Sequence, residues 1–332
     1  MRLVFRTDAS REIGTGHVVR CASLAETVRQ IGDEILFCCR DLPGNMIAWL
    51  KERGFSVTVI GDAAAETRQA AEGADWLVVD HYNLDAAWEK QARGSAWLFA
   101  LDDLGRAHDC DLLLDQNYKN PLHSKYAVPA TCEKLLGPRF ALIRPEFAAH
   151  RDRSLARPRH TISRLLVFMS GTDKQNETTK ALQGIALSHY RGMTVDVVIG
   201  SGNPHRILVE AACNALPRAQ LHIQTPHMAE LMSGADLMLC AAGSISWERC
   251  TLGVPALVTI LADNQVHIAE SLARAETQRT LGWYNSLAPA NYARALEALT
   301  VDELATMARA AAAICDGQGA ARVAERLRIL KG

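Results

Sequence analysis

Residues 3–28, LVFRTDASREIGTGHVVRCASLAETV, contain the pattern that decides the fold. Residues 3–5 have the apolar character of a short buried strand, and a polar loop with two glycines follows them. From residue 18 onward, apolar side chains recur at the spacing of one helix face. A strand, a tight loop and a helix in this order begin a βα unit, so the sequence predicts an α/β fold with a parallel sheet.

The same alternation continues along the chain in two series. In the first series, strand patterns fall at 34–38, 56–60, 76–79, 96–101 and 112–114. In the second series, strand patterns fall at 165–169, 194–199, 219–223, 237–240 and 256–260, and helical patterns at 178–189, 204–215, 229–233, 245–252 and 266–275. A basic stretch without periodicity, at 151–164, separates the two series.

The sequence therefore predicts two Rossmann-like, doubly wound domains that face a central cleft, at residues 1–150 and 164–332. Residues 301–330 have helical periodicity and form the predicted tail of the second domain. A GAAR segment that starts at Gly319 could turn this tail back toward the first domain. Because ligands bind beyond the carboxyl ends of the strands in such sheets, catalytic residues are expected there.

The bulk composition narrows the function and the location. Lys and Arg total 36 against 37 Asp and Glu, a net charge of -1 with no basic block, which argues against nucleic acid as a partner. Nine cysteines at irregular spacings without a Cys-x-x-Cys pair are typical of a reducing compartment. The N-terminus lacks a signal-peptide pattern, and no apolar stretch approaches the ~18 to 20 residues of a membrane span. We therefore expect a cytoplasmic protein that does not bind a membrane.

The loop that ends in Gly14-Thr15-Gly16-His17 is the first candidate site. Its glycines let a ligand approach the backbone, and the N-terminus of the following helix favours an anion. The helix dipole also disfavours the cationic form of His17, so its imidazole can accept a proton near pH 7. A plain tight turn with a capping histidine is the alternative.

Polar residues also follow two buried strand patterns in the first half. Asp80, in the segment 76–83, could hold an imidazole or a sugar hydroxyl, and Tyr82 could donate to a substrate oxygen. Capping of the next helix is an equally good explanation of Asp80. Asp102 and Asp103 are adjacent, and strand neighbours point to opposite faces, so joint ligation of a metal is not expected.

Three loops of the second half are suited to a nucleotide. Residues 169–178, MSGTDKQNET, join a strand to a helix and could cradle a diphosphate. Residues 241–248, AAGSISWE, open a helix whose Glu248 could accept both ribose hydroxyls while N–H groups after Gly243 bind phosphate. Residues 261–265, LADNQ, end another strand at the same edge. A glutamate at a helix start is often only dipole compensation, but the convergence of three loops favours a ligand site.

Together these segments resemble the UDP-2,4-diacetamido-2,4,6-trideoxy-β-L-altropyranose hydrolases of pseudaminic acid biosynthesis, a pathway linked to flagellin glycosylation. The resemblance covers most of the chain. It rests on 6–20 with Asp-Ala-Ser and Ile-Gly-Thr-Gly-His-Val, on Val-Asp-His-Tyr at 79–82, on Leu-Asp-Gln-Asn at 114–117, on 136–147 with Leu-Gly-Pro and Arg-Pro-Glu-Phe, and on 243–250 with Gly-Ser and Trp-Glu-Arg-Cys. The family is similar in fold to the peptidoglycan N-acetylglucosaminyltransferase, which has two Rossmann-like domains of the GT-B type and binds the nucleotide in the C-terminal one.

The resemblance implies an inverting attack of water on the anomeric carbon that releases UDP and the free sugar, without a metal or another cofactor. It implies His17 as the general base. The implied contacts to the UDP-sugar are Asp8, Gly14, Gly16, Tyr82, Asn176, Gly243, Ser244, Glu248, Asn264 and Gln265. The chain departs from the family pattern at Ser170 and Ala242, where glycine is usual, and each change adds a side chain near the predicted diphosphate.

Two other functions fit the same pattern. A GT-B glycosyltransferase would transfer the sugar to an alcohol, and it predicts an acceptor groove or a membrane-docking patch in the first domain. The sequence contains no basic amphipathic segment there. A noncatalytic sugar-nucleotide binding protein would bind the same ligand and release nothing.

Overall fold

A computed structural model describes residues 1–29, 32–119, 121–159 and 161–331, without the side chain of Leu122. The remaining residues, among them residue 160 of the predicted boundary and residue 332, lie outside this description. The chain divides into two compact units, Met1–Pro145 together with the chain from Gln318 onward, and Glu146–Gly317. Each unit is built on one parallel sheet with helices, so the predicted pair of Rossmann-like α/β domains is confirmed.

The first unit contains a sheet of seven strands, all paired in parallel, in the order β3-β2-β1-β4-β5-β6-β7. The strands are β1 (Arg2–Thr7), β2 (Glu34–Cys39), β3 (Ser56–Val59), β4 (Trp76–Asp80), β5 (Trp97–Leu101), β6 (Leu112–Asp115) and β7 (Glu133–Leu136). The helices are α1 (Gly16–Arg29), α2 (Ile47–Glu52), α3 (Ala64–Ala70), α4 (Ala86–Ala92) and, near the C-terminus, α13 (Gly319–Lys331).

Alternate residues of the central strands enter two apolar layers. Leu3 and Phe5 of β1 pack in one layer with α1 and α13, whereas Val4 packs in the other. Strands buried on both faces in this way are continuously apolar, which is why periodicity located them in the sequence. The two layers hold β1 and β4 rigidly, and the residues that follow these strands are positioned accordingly.

The second unit contains six parallel strands in the order β10-β9-β8-β11-β12-β13. They are β8 (Arg164–Phe168), β9 (Thr194–Ile199), β10 (Ala219–Ile223), β11 (Leu237–Ala241), β12 (Ala256–Ile260) and β13 (Arg279–Trp283). The helices are α5 (Pro145–Leu155), α6 (Glu177–Leu187), α7 (Arg206–Asn214), α8 (Met228–Gly234), α9 (Ile245–Thr251), α10 (Val266–Arg274), α11 (Pro289–Glu297) and α12 (Val301–Ile314).

These limits differ from the sequence expectation of 1–150 and 164–332 at both ends of the second unit. The predicted helical tail at 301–330 consists of two helices, α12 and α13, and Gly317 adopts a left-handed φ of +80° between them. Helix α13 returns to the first unit, where Leu327 accepts a hydrogen bond of 3.1 Å from the indole Nε1 of Trp76. Gly319 allows this return, because a Cβ there would lie 2.2 Å from the carbonyl oxygen of Ala141.

Candidate active site

The strand order of the first sheet reverses between β1 and β4. In open parallel sheets, ligands bind beyond the carboxyl ends of the strands at such a reversal. Thr7, the last residue of β1, is paired in register with Asp80, the last residue of β4. The predicted glycine loop and the predicted segment around Asp80 therefore leave the sheet side by side.

His17 and Asp80 form a hydrogen-bonded pair at this reversal. Nδ1 of His17 lies 2.6 Å from Oδ1 of Asp80, whose side chain is completely buried. Burial on its own would raise the pKa of Asp80, but the charge of Arg20 and the hydrogen bonds from Arg20 and His17 hold it well below its usual range. The ionised carboxylate can only accept, so Nδ1 carries the proton and Nε2 is the basic nitrogen. The geometry thus favours the imidazole-holding role of Asp80 over helix capping.

Arg20, which was not among the residues predicted from the sequence, also binds Asp80. Its Nε and Nη2 lie 2.5 Å from Oδ2 and Oδ1 of Asp80, a bidentate ion pair. Arg20 follows His17 by three residues on α1, a spacing that places two side chains on one helix face. That spacing is the signal that could have identified it.

The ring of Tyr82 contacts the imidazole of His17, but the Tyr82 hydroxyl donates its hydrogen bond to another residue. The rings of His17 and Tyr82 meet edge to face, with centroids 4.6 Å apart. The Tyr82 hydroxyl donates a 2.9 Å hydrogen bond to Oδ1 of Asp103. Burial and the nearby carboxylate of Asp103 raise the pKa of Tyr82 above its usual range, so the phenol stays protonated. In this arrangement Tyr82 offers a ligand its oxygen lone pairs, which corrects the expectation that it donates to a substrate oxygen.

Asp8 is buried beneath other polar side chains rather than presented to a ligand. Its Oδ2 lies 2.7 Å from Nε of Arg40 and 3.2 Å from Nε2 of His81, and its Oδ1 lies 2.8 Å from Nη1 of Arg6. Burial opposes ionisation, yet these partners hold the pKa of Asp8 well below its usual range. The predicted substrate contact of Asp8 is therefore replaced by an indirect role, the anchoring of Arg40 and His81.

The glycine loop is closed by its own residues. The hydroxyl oxygen of Ser10 accepts from the N–H groups of Glu12 and Ile13, and the N–H of Gly14 donates to the carbonyl of Ser10. Gly14 has a left-handed φ of +82°, whereas Gly16 is the exposed first residue of α1. A Cβ built at either glycine meets no heavy atom within 4 Å, so the space beside them is open to a ligand.

A second buried cluster explains part of the sequence motif at 114–117. Asp115 accepts from the hydroxyl of Tyr126 at 3.0 Å and from the N–H of Asn117 at 2.9 Å. Gln116 accepts from the N–H of Leu142 at 3.1 Å. These side chains bind protein groups and shape the loops after β6. They are structural members of the motif.

In the second sheet the order reverses between β8 and β11, and two predicted loops start there. Asp173 is fully buried in the first of these loops, and its carboxylate accepts from the N–H groups of Glu177 and Thr178 at 2.9 and 2.8 Å. Ser170, the departure from the family pattern, accepts from the N–H of Asp173 at 2.6 Å. The amides that open α6 are thus already bound to a carboxylate, which weakens the expectation that this loop cradles a diphosphate.

Asn176 follows in the same loop with a left-handed φ of +55°, a conformation that Asn tolerates better than most residues. Its Oδ1 accepts a 2.6 Å hydrogen bond from the hydroxyl of Thr179. The half-buried side chain therefore has its amide nitrogen as the group suited to a ligand oxygen.

The loop after β11 leads into helix α9, whose N-terminus differs from that of α6. Ser244 is exposed and makes no side-chain cap at α9, and the first N–H groups of a helix have no intrahelical partner. Gly243 is half-buried, and a Cβ built there meets no heavy atom within 4 Å. Glu248 lies half-buried in the first turn of α9, whereas the methyl of Ala242 is fully buried and faces away from solvent.

The last predicted contacts lie in the short helical turn Asp263–Gln265 after β12. Asn264 is exposed, and its side chain is placed on the surface of the loop. Gln265 is half-buried, and its Oε1 accepts a 2.9 Å hydrogen bond from the N–H of Leu261. The oxygen of Gln265 thus shapes its own loop, and its NH₂ group is the part suited to a ligand.

Within the described ranges, no group of three or more His, Cys, Asp or Glu side chains is arranged to hold a metal ion. Among the helices of the described chain, none combines the length and the apolar character that crossing a membrane requires.

Comparison with known proteins adds to this geometry. No family model matches the chain. The chain is 26% identical over 277 residues to the UDP-2,4-diacetamido-2,4,6-trideoxy-beta-L-altropyranose hydrolase of Campylobacter jejuni, with 82% of this chain and 97% of that protein covered. It is 25% identical to the spore coat polysaccharide biosynthesis protein SpsG of Bacillus subtilis, with 80% and 79% covered.

Among solved structures, Acinetobacter baumannii MurG matches with a TM-score of 0.73 at 14% identity, over 99% of both chains. Likeness at this identity concerns the fold alone. The fold is therefore that of the GT-B glycosyltransferases, as predicted. The resemblance expected from the motifs is confirmed too, because the chain is similar in sequence to a UDP-sugar hydrolase.

Proposed function

We propose that this protein hydrolyses UDP-2,4-diacetamido-2,4,6-trideoxy-β-L-altropyranose at the anomeric carbon, with His17 as the general base. The observation that carries the proposal is the His17–Asp80 pair of 2.6 Å at the strand reversal of the first sheet. A histidine oriented by a buried carboxylate is a common way to build a base. The likeness to the Campylobacter jejuni hydrolase supports the choice of substrate.

In the proposed reaction, a water oxygen attacks C1 of the sugar while the bond between C1 and the phosphate oxygen breaks. Nε2 of His17 takes the proton of the water, and the bonding electrons leave with the β-phosphate of UDP. Nδ1 keeps its proton on Asp80, which fixes the ring and stabilises the imidazolium that forms. A positioned general base contributes about 10² to 10⁴ in rate.

The second unit is proposed to bind UDP. The uncapped start of α9 supplies N–H donors at 243–245 for the diphosphate, and Glu248 in the same turn accepts from the ribose hydroxyls. Asn176, Asn264 and Gln265 are further proposed contacts, through the groups described above. UDP is a good leaving group when such donors stabilise its negative charge, so no metal or other cofactor is proposed.

Sugar transfer to an alcohol is the second candidate, because the fold is shared with glycosyltransferases. The same base would then deprotonate an acceptor hydroxyl. The exposed position of Gly16 beside His17 leaves room for water and also for a larger nucleophile. Only a reaction without an acceptor separates the two candidates.

The deciding assay incubates the protein with the UDP-diacetamido-sugar and EDTA, without an acceptor, and follows UDP by ³¹P NMR. We expect UDP at a rate far above background, and in H₂¹⁸O the UDP should carry no label, because the C1–O bond breaks. UDP formed only when an alcohol is added would favour the transferase. Absence of UDP from both mixtures, with and without the alcohol, would refute both enzymatic proposals.

His17→Ala tests the base directly. We expect turnover to fall by roughly 10² to 10⁴ with UDP affinity nearly unchanged, since a base acts on water and not on the nucleotide. His189→Ala is the matched control, because His189 is an exposed histidine of the second unit. Equal losses of UDP affinity and turnover in His17→Ala would make His17 a binding residue instead.

A further inference from the structure

Arg20 makes one cluster with His17 and Asp80. Besides its bidentate pair with Asp80, its Nη2 lies 3.1 Å from Nδ1 of His17. The Arg20 side chain is only 11% exposed, so solvent screens this charge weakly. A single oxygen, Oδ1 of Asp80, is thus approached by both the imidazole and the guanidinium.

Two opposite effects then act on the proton affinity of His17. A carboxylate within about 4 to 6 Å favours the imidazolium and shifts a titration by about one to three pH units. A guanidinium at the same distance disfavours the imidazolium, because the two charges have the same sign. Since Nδ1 already carries the proton directed at Asp80, Arg20 faces the protonated edge of the ring. There it opposes the arrival of a second proton at Nε2.

We infer that Arg20 is a positioning residue that keeps His17 in the neutral, proton-accepting form, both by neutralising Asp80 and by directly repelling a second proton on the imidazole. The inference rests on the proposed role of His17 as the base. A base that is already protonated near neutral pH cannot activate water, whereas one without Asp80 loses its orientation. With Arg20 bound to the same carboxylate, Asp80 can orient the His17 ring while His17 stays neutral.

The other titratable groups around this cluster, in the part of the chain that the structure describes, are consistent with this balance. The thiol of Cys21 lies 3.6 Å from Oδ2 of Asp80, and Tyr82 contacts the imidazole edge. Burial raises the pKa of Cys21 and of Tyr82, so both remain uncharged. Oδ2 of Asp103 lies 3.9 Å from Nη1 of Arg20, on the side away from Asp80. Arg20 is therefore the cation that contacts both His17 and Asp80.

The test is the titration of the His17 ring followed by ¹H–¹⁵N NMR, which needs no substrate. Its signals are those missing from the His17→Ala protein. We expect Arg20→Gln to raise the midpoint of this titration by about one pH unit or more, because Asp80 then acts unopposed. Asp80→Asn should lower the midpoint, and Arg20→Lys, which keeps the charge, should stay closer to the unsubstituted protein than Arg20→Gln.

Arg20→Gln leaves a buried carboxylate without its cation and could unfold for that reason alone. The double variant Arg20→Gln/Asp80→Asn removes both charges, so its comparison with Asp80→Asn measures the effect of Arg20 in a second background. The midpoint should again be higher in the variant that lacks Arg20. An unchanged or lower midpoint in the variants without Arg20 overturns the inference.

Activity gives an independent readout. The acid limb of the kcat/KM profile should move with the NMR midpoint in each variant, which a merely structural arginine would not produce. If the midpoint moves but the unsubstituted protein releases no UDP, the proposed function fails and the inference about Arg20 stands. If UDP is released normally and the midpoint does not move, the inference fails alone.

Discussion

Gly200 lies at a close approach of two loops in the second unit. Its N–H donates a 3.0 Å hydrogen bond to the carbonyl of Gly171, in the loop that leads to Asn176. A Cβ added at Gly200 would lie 2.4 Å from that carbonyl oxygen, whereas ordinary contact begins at 3.4 Å. Gly200→Ala must therefore separate the two loops by about 1 Å, a crowding of the kind that overpacks a core.

Three contributions determine how much Gly200→Ala lowers the free energy of unfolding. Overpacking contributes about 1 to 3 kcal/mol, and weakening of the hydrogen bond adds about 0.5 to 1.5 kcal/mol. Loss of glycine freedom in the unfolded chain offsets about 0.4 to 1 kcal/mol. A net destabilisation of about 0.5 to 4 kcal/mol corresponds to a fall in Tm of roughly 1 to 16 °C for a unit of this size. The displaced loop should also bind UDP more weakly, since it carries Asn176.

The assay is differential scanning calorimetry of the full chain, with UDP affinity measured by isothermal titration calorimetry. Gly202→Ala is the matched control, because Gly202 is an exposed glycine two residues away whose Cβ would meet no heavy atom within 4 Å. We expect that control to stay within about 0.5 kcal/mol of the unsubstituted protein, as surface changes do. If Gly200→Ala melts together with Gly202→Ala, the close approach of the two loops is refuted.

Two further predictions concern the first unit. Burial alone would lower the pKa of His108, but hydrogen bonds to Asp102 and Glu89 raise it to about 9. The protonated imidazole therefore stabilises the folded protein fully below the unfolded pKa of about 6.5. This contribution to the free energy of unfolding is lost as the pH rises to about 9. Urea midpoints should therefore fall more steeply between these pH values in the unsubstituted protein than in His108→Gln, and equal slopes would contradict the assignment. Gly14→Ala should cost about 1 to 2 kcal/mol because of its left-handed φ, whereas Gly16→Ala should melt normally yet raise KM if the sugar approaches that glycine. An unchanged KM in Gly16→Ala would place the ligand elsewhere.

The sequence predicts the central strands of both sheets and one edge strand of each, β3 and β10, but misses the strand at the opposite edge. Strands buried on both faces, such as β4 and β11, carry continuous apolar runs that the sequence pattern reveals. The strands at those opposite edges, β7 with the sequence EKLL and β13 with the sequence RTLGW, were missed because charged residues or a glycine interrupt these short apolar runs. Local pattern does not reveal an edge whose pairing depends on a neighbour distant in the chain.

The sequence also predicts the candidate site only in part. The rule that ligands bind at strand ends located His17 and Tyr82 from spacing alone. Their hydrogen-bond partners depend on tertiary contacts, and so the proton of Tyr82 and the burial of Asp8 were misjudged. Asp173 caps α6 from a left-handed conformation, four and five residues before the N–H groups that it binds, which no standard capping pattern predicts.

Electrostatics gives a reason for assigning the base and the nucleotide to different units. Four arginines near the strand ends of the first sheet each face an aspartate: Arg6 and Arg40 face Asp8, Arg20 faces Asp80, and Arg106 faces Asp102. A diphosphate would have to displace a buried carboxylate to use any of these cations, at a cost of several kcal/mol for each unpaired charge. Water and a neutral sugar carry no such charge, so they can occupy this edge without breaking the ion pairs. At the start of α9 the side chain of Ser244 does not cap the helix, whereas the carboxylate of Asp173 occupies the first N–H groups of α6, and this difference supports the proposed place of the anion at α9 in the second unit.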